Sequence, residues 1–282
     1  IDGNNYSTTL IGEQLWMSEN LQTTHYNNGD PITYIANNAD WGSYDEGQYG
    51  VYNNEPTNEE IYGKLYNWKV VDDERGVCPV GFHVASDDEW KELEMALGMS
   101  ESEVNSYGGL LSWRGTNEAS KLAGNSNLWN GADAYGEISG TGEVILESDS
   151  EFGVSGFNAL PSGYRNENNG NYYHLGGFAF FWTSSEYIDN NGTVNTTAAW
   201  PRMLDHDQTL IYRGGAGRLA GYSVRCLADD PVAYVQSQSS SGEGPNVTLT
   251  AGTHTFEHTV TDAYGATHTD AVTITVLPEP ND

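Results

Sequence analysis

The sequence predicts an α+β fold, with two main helices and many short strands in a larger first region and a small all-β unit at the end. Two stretches have the residue spacing of helices, and short apolar stretches between Gly and Asn clusters fill residues 105–228. Residues 245–282 alternate with period two and are rich in Val and Thr. We therefore expect a first domain over residues 1–228, a linker over 229–244 and a β domain over 245–282.

The first elements are a hairpin and a helix. Residues 6–11 and 14–17 have strand character and flank Gly12-Glu13, a two-residue connection that is typical of hairpins. A long polar stretch with Asn-rich turns follows. Residues 58–71 then have helical spacing, with Ile61, Leu65 and Trp68 on one stripe.

A second helix begins after Ser86. Ser86 and Glu89 have the spacing of a capping box, in which each side chain accepts a hydrogen bond from the other residue's backbone N–H. Trp90 and Leu93 then lie on one face together with Leu97, and Gly98 provides the stop signal.

The remaining predicted elements are short strands. In the first domain they cover residues 156–160, 178–184, 197–203, 210–213 and 222–227. In the final unit they cover residues 246–249, 253–260 and 267–276, with a turn at 262–265. We expect these last strands to form a small unit of sandwich type.

The chain has two cysteines, Cys78 and Cys226, so a structural metal cluster of cysteines is excluded. Two buried free thiols or one disulfide are the alternatives, and we favour the disulfide. It would close a 148-residue loop, worth roughly 5 kcal/mol in the chain-entropy model. It would also indicate an oxidising compartment.

The net charge of −29 comes from 40 acidic and 11 basic residues. So acidic a chain repels phosphate backbones and anionic membranes, which argues against nucleic-acid binding. Calcium is compatible with the charge, but the sequence has no Asp-x-Asp-x-Asp-Gly loop to support a site. No apolar run is long enough for a membrane span. The start at Ile1 suggests a processed form or a piece of a longer chain.

Several short motifs are spread over the first region. They include Asp2-Gly3-Asn4, Trp16-Met17, Asn20-Leu21, Leu65-Tyr66-Asn67-Trp68, the segment 78–90, Gly156-Phe157, Gly163-Tyr164-Arg165, Phe181-Trp182-Thr183-Ser184-Ser185 and Ser223-Val224-Arg225-Cys226. With these motifs the first 228 residues resemble the Fibrobacter succinogenes major paralogous domain family, which occurs on secreted and surface proteins of Bacteroidota and their relatives.

The resemblance implies a variant of the C-type-lectin fold and an extracellular or cell-surface location. In related proteins this fold presents variable residues on a ligand-facing surface, which corresponds here to residues 165–218. The tail resembles the C-terminal half of a polycystic-kidney-disease or immunoglobulin-like repeat, through Ala251-Gly-Thr-His-Thr-Phe256 and Val260-Thr-Asp262-Ala-Tyr-Gly265. A half-length repeat exposes strand edges, which invites a partner strand from this chain or another subunit.

Candidate ligand-binding residues come from the segment 165–218. Aromatic rings stack on sugars or side chains, and guanidinium groups bind carboxylates or hydroxyls. On these grounds we select Trp200, Arg202, Asp205, His206, Tyr212 and Arg213. Trp16, Trp68, Trp90 and Trp182 are expected in the core.

Enzymatic chemistry has little support in the sequence. It contains no nucleophile elbow, phosphate loop or His-Glu-x-x-His motif, and His83 is expected to be a satisfied core residue. The family is distantly akin to formylglycine-generating enzymes, whose cysteine chemistry would require free thiols here. We therefore expect a non-catalytic surface protein that binds a glycan or protein. The alternative is a fibre subunit that assembles through its C-terminal β unit.

Overall fold

The computed structural model describes residues 2–43, 45–106, 113–130, 146–189 and 191–231, and the backbone of residues 252–261 and 267–276. The chain divides into two compact units, Ile1–Tyr234 and Val235–Asp282. The described residues have a mixed α+β architecture in which sheets predominate over short helices. The α+β fold class is therefore confirmed.

Strands β1–β16 and helices α1–α5 are numbered along the chain. The first sheet has the order β1-β2-β14-β6 and contains Thr8–Ile11, Gln14–Met17, Cys226–Ala228 and Phe82–Val84. The second has the order β3-β4-β5 and contains Thr33–Tyr34, Gln48–Gly50 and Leu65–Tyr66. The helices are Pro56–Tyr62, Trp68–Val71, Asp87–Ala96, Glu101–Val104 and Glu118–Leu122.

The third and largest sheet is called the central sheet below. Its order is β7-β12-β11-β10-β8-β9, with β13 paired to β11. These strands are Trp113–Arg114, Ile211–Arg213, Val194–Asp205, Phe178–Ile188, Ser162–Arg165, Tyr172–Leu175 and Ala216–Gly217. The long antiparallel pair β10 and β11 forms its middle.

The hairpin and the disulfide are both confirmed. Strands β1 and β2 pair around Gly12, which has a φ of +60°, and β14 pairs with β2 to join the two ends of the first unit. Cys226 in β14 is bonded to Cys78, with 5.9 Å between their Cα atoms. Both cysteines are buried, so the crosslink lies inside a hydrophobic cluster that also contains Trp68, Trp182 and Tyr222.

The predicted single helix over residues 58–71 is wrong. Helix α1 ends at Tyr62, β5 follows, and α2 begins only at Trp68. The break is at Gly63, which has a φ of +74°. A Cβ there would lie 2.9 Å from the Cβ of Asn20, so a tertiary contact determines this chain reversal. Ile61, predicted to lie on the buried stripe, is 45% exposed.

The capped helix is confirmed as α3. The Ser86 and Glu89 side chains form both hydrogen bonds of the capping box, and Trp90 and Leu93 are buried. Trp90 contacts Trp16, with 5.1 Å between ring centroids, and it also contacts Phe157. The four tryptophans expected in the core, Trp16, Trp68, Trp90 and Trp182, are all buried there.

The short-strand predictions are partly confirmed. Residues 178–184, 197–203 and 210–213 lie largely within β10, β11 and β12. Residues 156–160 form no strand and make only an isolated bridge at Ala159, and of residues 222–227 only the last two belong to β14. Asn158 has a φ of +56°, which is incompatible with a regular strand there.

The second unit contains an antiparallel pair, β15 at Gly252–Thr261 and β16 at Thr267–Val276, in continuous register. The predicted strands at 253–260 and 267–276 are thereby confirmed. The predicted strand at 246–249, the turn at 262–265 and most of the linker lie outside the described residues.

Candidate ligand-binding face

The central sheet has one covered and one partly open face, and strand alternation assigns each predicted site residue to one of them. Successive side chains on a strand point to opposite faces. On β11, Arg202 and Leu204 point inward and are fully buried, whereas Met203 points outward and is half-buried. On β12, Arg213 points inward, and Tyr212 points outward and is half-buried.

The inward arginines form an internal ionic network with helix α3. Arg202 donates to Glu94 at 2.6 Å and to Asp87 at 2.8 Å, and Arg213 donates to Asp87 at 2.6 Å. Arg114 of β7 also donates to Glu94, at 2.8 Å. Burial opposes ionisation of Asp87, but the hydrogen bond from Arg213 and the nearby charges hold its pKa well below the usual range. The network therefore fixes α3 to the sheet.

The other predicted residues are also mostly inside the protein. Trp200 is 3% exposed and stacks with Arg213, whose guanidinium carbon lies 3.9 Å from the ring centroid. Asp205 and His206 are buried next to each other, with 3.0 Å between Oδ1 and Nδ1. The neighbouring Asp205 carboxylate raises the pKa of His206.

Ligand contact by the six selected residues stays a prediction, but their placement redraws the candidate surface. Arg202 and Arg213 have internal carboxylate partners, so their guanidinium groups are already engaged. Among the six selected residues, only Tyr212 keeps a substantial part of its side chain exposed to solvent. The candidate surface is therefore the outer face of the central sheet, around Tyr212.

One residue from each main strand of the central sheet forms a continuous line across that outer face. Trp113 pairs with Tyr212, Tyr212 with Met203, and Met203 with Phe180. Tyr164 pairs with Tyr173 on the next two strands. The members, called the aromatic row below, are in sheet order Trp113, Tyr212, Met203, Phe180, Tyr164 and Tyr173, and all are half-buried.

Ring contacts connect most of the aromatic row. The centroids of Trp113 and Tyr212 are 5.6 Å apart, and those of Phe180 and Tyr164 are 5.2 Å apart. Tyr164 and Tyr173 are separated by 5.7 Å. With neighbouring strands about 4.8 Å apart, six strands extend the row over roughly 24 Å. The result is an elongated, uncharged strip in a strongly acidic protein.

Further rings pack against Phe180 on the same face of the sheet. Tyr222 stacks on Phe180 with 4.7 Å between centroids and an angle of 13°, and Tyr222 also contacts Trp182. Trp182 lies two residues after Phe180 on β10 and so points to the same face. Both buried rings belong to a hydrophobic cluster against which Phe180 and Tyr164 pack. The row is therefore a rigid surface that needs little ordering when a ligand binds.

A polar groove of about 490 Å³ lies elsewhere on the segment 165–218. Lys69, Glu167, Thr197 and Arg218 are among its lining residues. Arg218 already pairs with Glu186, and Lys69 pairs with Asp45. Within the described ranges, no group of three or more His, Cys, Asp or Glu side chains is arranged to hold a metal ion.

His83 is a surface residue, contrary to expectation. His83 lies on β6, at the edge of the first sheet, and its side chain is 38% exposed. The two ring nitrogens lie 2.9 Å from Glu89 and 2.6 Å from Asp229. The hydrogen bond with Glu89, assisted by Asp229, raises the pKa of His83 to about 9.

Sequence reasoning missed most of the aromatic row. Five members of the row were not selected: Trp113, Met203, Phe180, Tyr164 and Tyr173. Phe178 and Phe180 do alternate with Ala179 and Phe181. That alternation indicates two faces but does not say which one is covered by a helix. The buried network with α3 supplies the missing information.

Comparison with known proteins gives one match. The family model described as Fibrobacter succinogenes major domain matches residues 10–228, which is more than half of the chain. No curated protein and no solved structure matches the chain. In the part of the chain that the structure describes, no helix has the length and apolar character to cross a membrane.

Proposed function

The chain belongs to the Fibrobacter succinogenes major domain family, and from that premise we propose that it is a non-catalytic extracellular surface protein that binds a neutral glycan. In this proposal the first unit is a C-type-lectin-like variant and the second is an immunoglobulin-like stalk. The observation that carries the proposal is the aromatic row across the outer face of the central sheet.

The chemistry of the row suits an extended polysaccharide. Aromatic faces offer flat apolar surface to the C–H faces of sugar rings, and Tyr adds a hydroxyl that exchanges hydrogen bonds with sugar hydroxyls. Tyr212, Tyr164 and Trp113 each combine both properties, because the indole N–H is also a donor. A strip of roughly 24 Å accommodates several consecutive sugars.

Charge favours a neutral ligand over an anionic one. The chain has a net charge of −29, and none of the six residues of the aromatic row is a cation. An anionic polysaccharide or a nucleic acid would approach against this field without a cationic partner in the row. Binding of a neutral glycan would depend little on ionic strength.

The disulfide supports the non-catalytic and extracellular parts of the proposal. A buried Cys78–Cys226 bond is stable in an oxidising compartment. It also occupies both thiols of the chain, and no free cysteine is left. Cysteine chemistry of the formylglycine-generating type therefore lacks the free thiols that it requires.

The proposal is tested by depletion of the purified chain from solution by insoluble neutral polysaccharides, such as cellulose, chitin and starch granules. We expect retention by at least one of them, and at least tenfold weaker retention of the double variant Trp113→Ala, Tyr212→Ala. A tenfold loss corresponds to about 1.4 kcal/mol, within the range for two aromatic contacts.

Leu10→Ala is the matched control, because Leu10 is 62% exposed on β1 of a different sheet. It should be retained like the parent chain. Circular dichroism and thermal melting confirm that each variant is folded. No retention on any neutral polysaccharide, or equal retention of the double variant, would refute the proposal.

A second candidate function is that of a fibre subunit. It is favoured by β15 and β16, which pair with each other over ten residues each and have no third strand among the described residues. Strand edges that no described residue pairs with would offer backbone groups to a neighbouring subunit. Electron microscopy and light scattering would show regular assemblies of the full chain and their loss on deletion of residues 235–282.

A further inference from the structure

A second cleft lies on the small β3-β4-β5 sheet, outside both the central sheet and the segment 165–218. It has a volume of about 210 Å³ and is lined by Tyr34, Tyr49, Asn54, Glu59, Lys64 and Thr24, among others. We propose that this cleft, called the tyrosine cleft below, binds a single neutral sugar ring. Neither the family match nor the aromatic row assigns it a role.

Tyr34 and Tyr49 form one wall of the tyrosine cleft, and Tyr66 supports them from the next strand. Tyr34, Tyr49 and Tyr66 occupy paired positions on three adjacent strands, and their ring centroids are 5.2 Å and 6.1 Å apart in succession. Tyr66 is fully buried, whereas Tyr34 is 44% exposed. The buried Tyr66 ring holds the other two tyrosines in place, and the Tyr34 ring offers its face to solvent as a stacking surface.

An ion pair forms the polar side of the cleft. The Lys64 side chain is 4% exposed, and its ammonium donates to Glu59 and, at 2.8 Å, to the carbonyl of Gln22. It lies 5.6 Å from the centroid of Tyr49. An ammonium has three donors, so one N–H remains beyond these two partners. Glu59 is 37% exposed and keeps a second carboxylate oxygen as an acceptor.

Asn54 fixes the outer edge of the aromatic wall. Its side-chain oxygen accepts from the Tyr34 hydroxyl at 3.1 Å, and its amide nitrogen donates to the carbonyl of Ala36 at 3.0 Å. Asn54 has a φ of +58°, a conformation that Asn tolerates better than most residues. The exposed Tyr34 ring is therefore held in position before any ligand binds.

The size and donor set of the cleft select the ligand class. A volume of about 210 Å³ is below the roughly 300–1,000 Å³ of sites for drug-sized molecules, so it suits one ring. Sugar hydroxyls both donate and accept, which matches a carboxylate next to an ammonium. Because Glu59 already balances the charge of Lys64, an anionic sugar has no net cation to bind. The geometry thus favours a neutral pyranose.

This inference is independent of the proposed function, because the tyrosine cleft and the aromatic row share no residue. The test is saturation-transfer difference NMR on the full chain, with the methyl glycosides of glucose, galactose, mannose and N-acetylglucosamine as probes. We expect saturation of the protons on one face of at least one probe. Tyr34→Ala should weaken that binding about tenfold, and Tyr34→Phe should retain it within about threefold.

Two further variants separate this cleft from other sites. Glu59→Gln should weaken the same probe at least threefold, because it removes a charged acceptor next to Lys64. Ile61→Ala changes a side chain that is 45% exposed on the same helix and should leave binding unchanged. The absence of transfer to all four probes would overturn the inference, as would unchanged binding of Tyr34→Ala. Loss of binding only in Trp113→Ala, Tyr212→Ala would assign the probe to the aromatic row instead.

Discussion

Met203 and Tyr212 are cross-strand neighbours on the outer face of the central sheet, and the next pair along the same two strands, Arg202 and Arg213, lies on the opposite face. One step along each strand therefore separates the half-buried aromatic row from the internal ionic network. The same short segments hold helix α3 in place and present the aromatic row. Surface substitutions in the row can be made without touching the charged groups beneath it.

We predict that breaking the buried ionic network destabilises the protein far more than breaking a surface ion pair. Arg202→Leu removes the cation that joins Asp87 to Glu94 and leaves buried carboxylates with fewer partners. We expect a loss of about 3–5 kcal/mol in the free energy of unfolding, measured by urea denaturation. Lys69→Gln breaks a pair with the fully exposed Asp45 and should leave the free energy of unfolding nearly unchanged, because solvent screens such a pair. Equal effects of the two variants would contradict the role of the network.

We predict that the stability of the protein depends strongly on whether the disulfide is formed. The double variant Cys78→Ser, Cys226→Ser releases a 148-residue loop in the unfolded chain. We expect the free energy of unfolding to fall by about 2–5 kcal/mol. The parent chain denatured in the presence of a reductant should show a similar loss, and the double variant should be insensitive to it. A reductant effect on the double variant would show that another process is being measured.

We predict that protonated His83 stabilises the protein and that this contribution disappears at alkaline pH. Its pKa is about 9 in the folded chain, because of Glu89 and Asp229, against about 6.5 when unfolded. A raised folded pKa stabilises the protein fully below the unfolded value, and this contribution is lost as the pH rises through the folded value. His83→Gln should therefore lower the melting temperature most near pH 6 and have little effect near pH 10.

The control for this pH dependence is a second histidine substitution. His174→Gln changes a histidine whose ring packs against Tyr164, Tyr173 and Phe178 on a different sheet. It should not reproduce the pH profile of His83→Gln. A difference between His83→Gln and the parent chain that stays constant from pH 6 to pH 10 would contradict the assignment.

Local signals in the sequence were sufficient for part of the fold. The capping box at Ser86, the turn at Gly12 and the pair of cysteines each act through near neighbours or a unique partner, and each prediction was confirmed. The helix over residues 58–71 failed because its break depends on contact between Gly63 and Asn20, 43 residues earlier in the chain. Periodicity within a segment carries no information about such a contact.

The candidate site illustrates the same limit. Trp200, Arg202 and Tyr212 have the right chemistry for ligand binding, but residue type does not tell which face of a strand is covered. Only the contacts of Arg202 with Asp87 and Glu94 show that α3 packs on the even-numbered side of β11. Once that side is known, alternation assigns Met203 and its cross-strand partners to the opposite, partly open face.

The most direct test of the central claim is oxidative footprinting by mass spectrometry, with and without a soluble oligosaccharide of the neutral polysaccharide that retains the chain. Met203 lies in the middle of the aromatic row, and Met95, 39% exposed on α3, provides an internal control. Methionine is converted to its sulfoxide where it is accessible. We predict that the ligand slows oxidation of Met203 several-fold and leaves that of Met95 unchanged. Equal oxidation of Met203 in the free and bound chain would contradict glycan binding at the aromatic row.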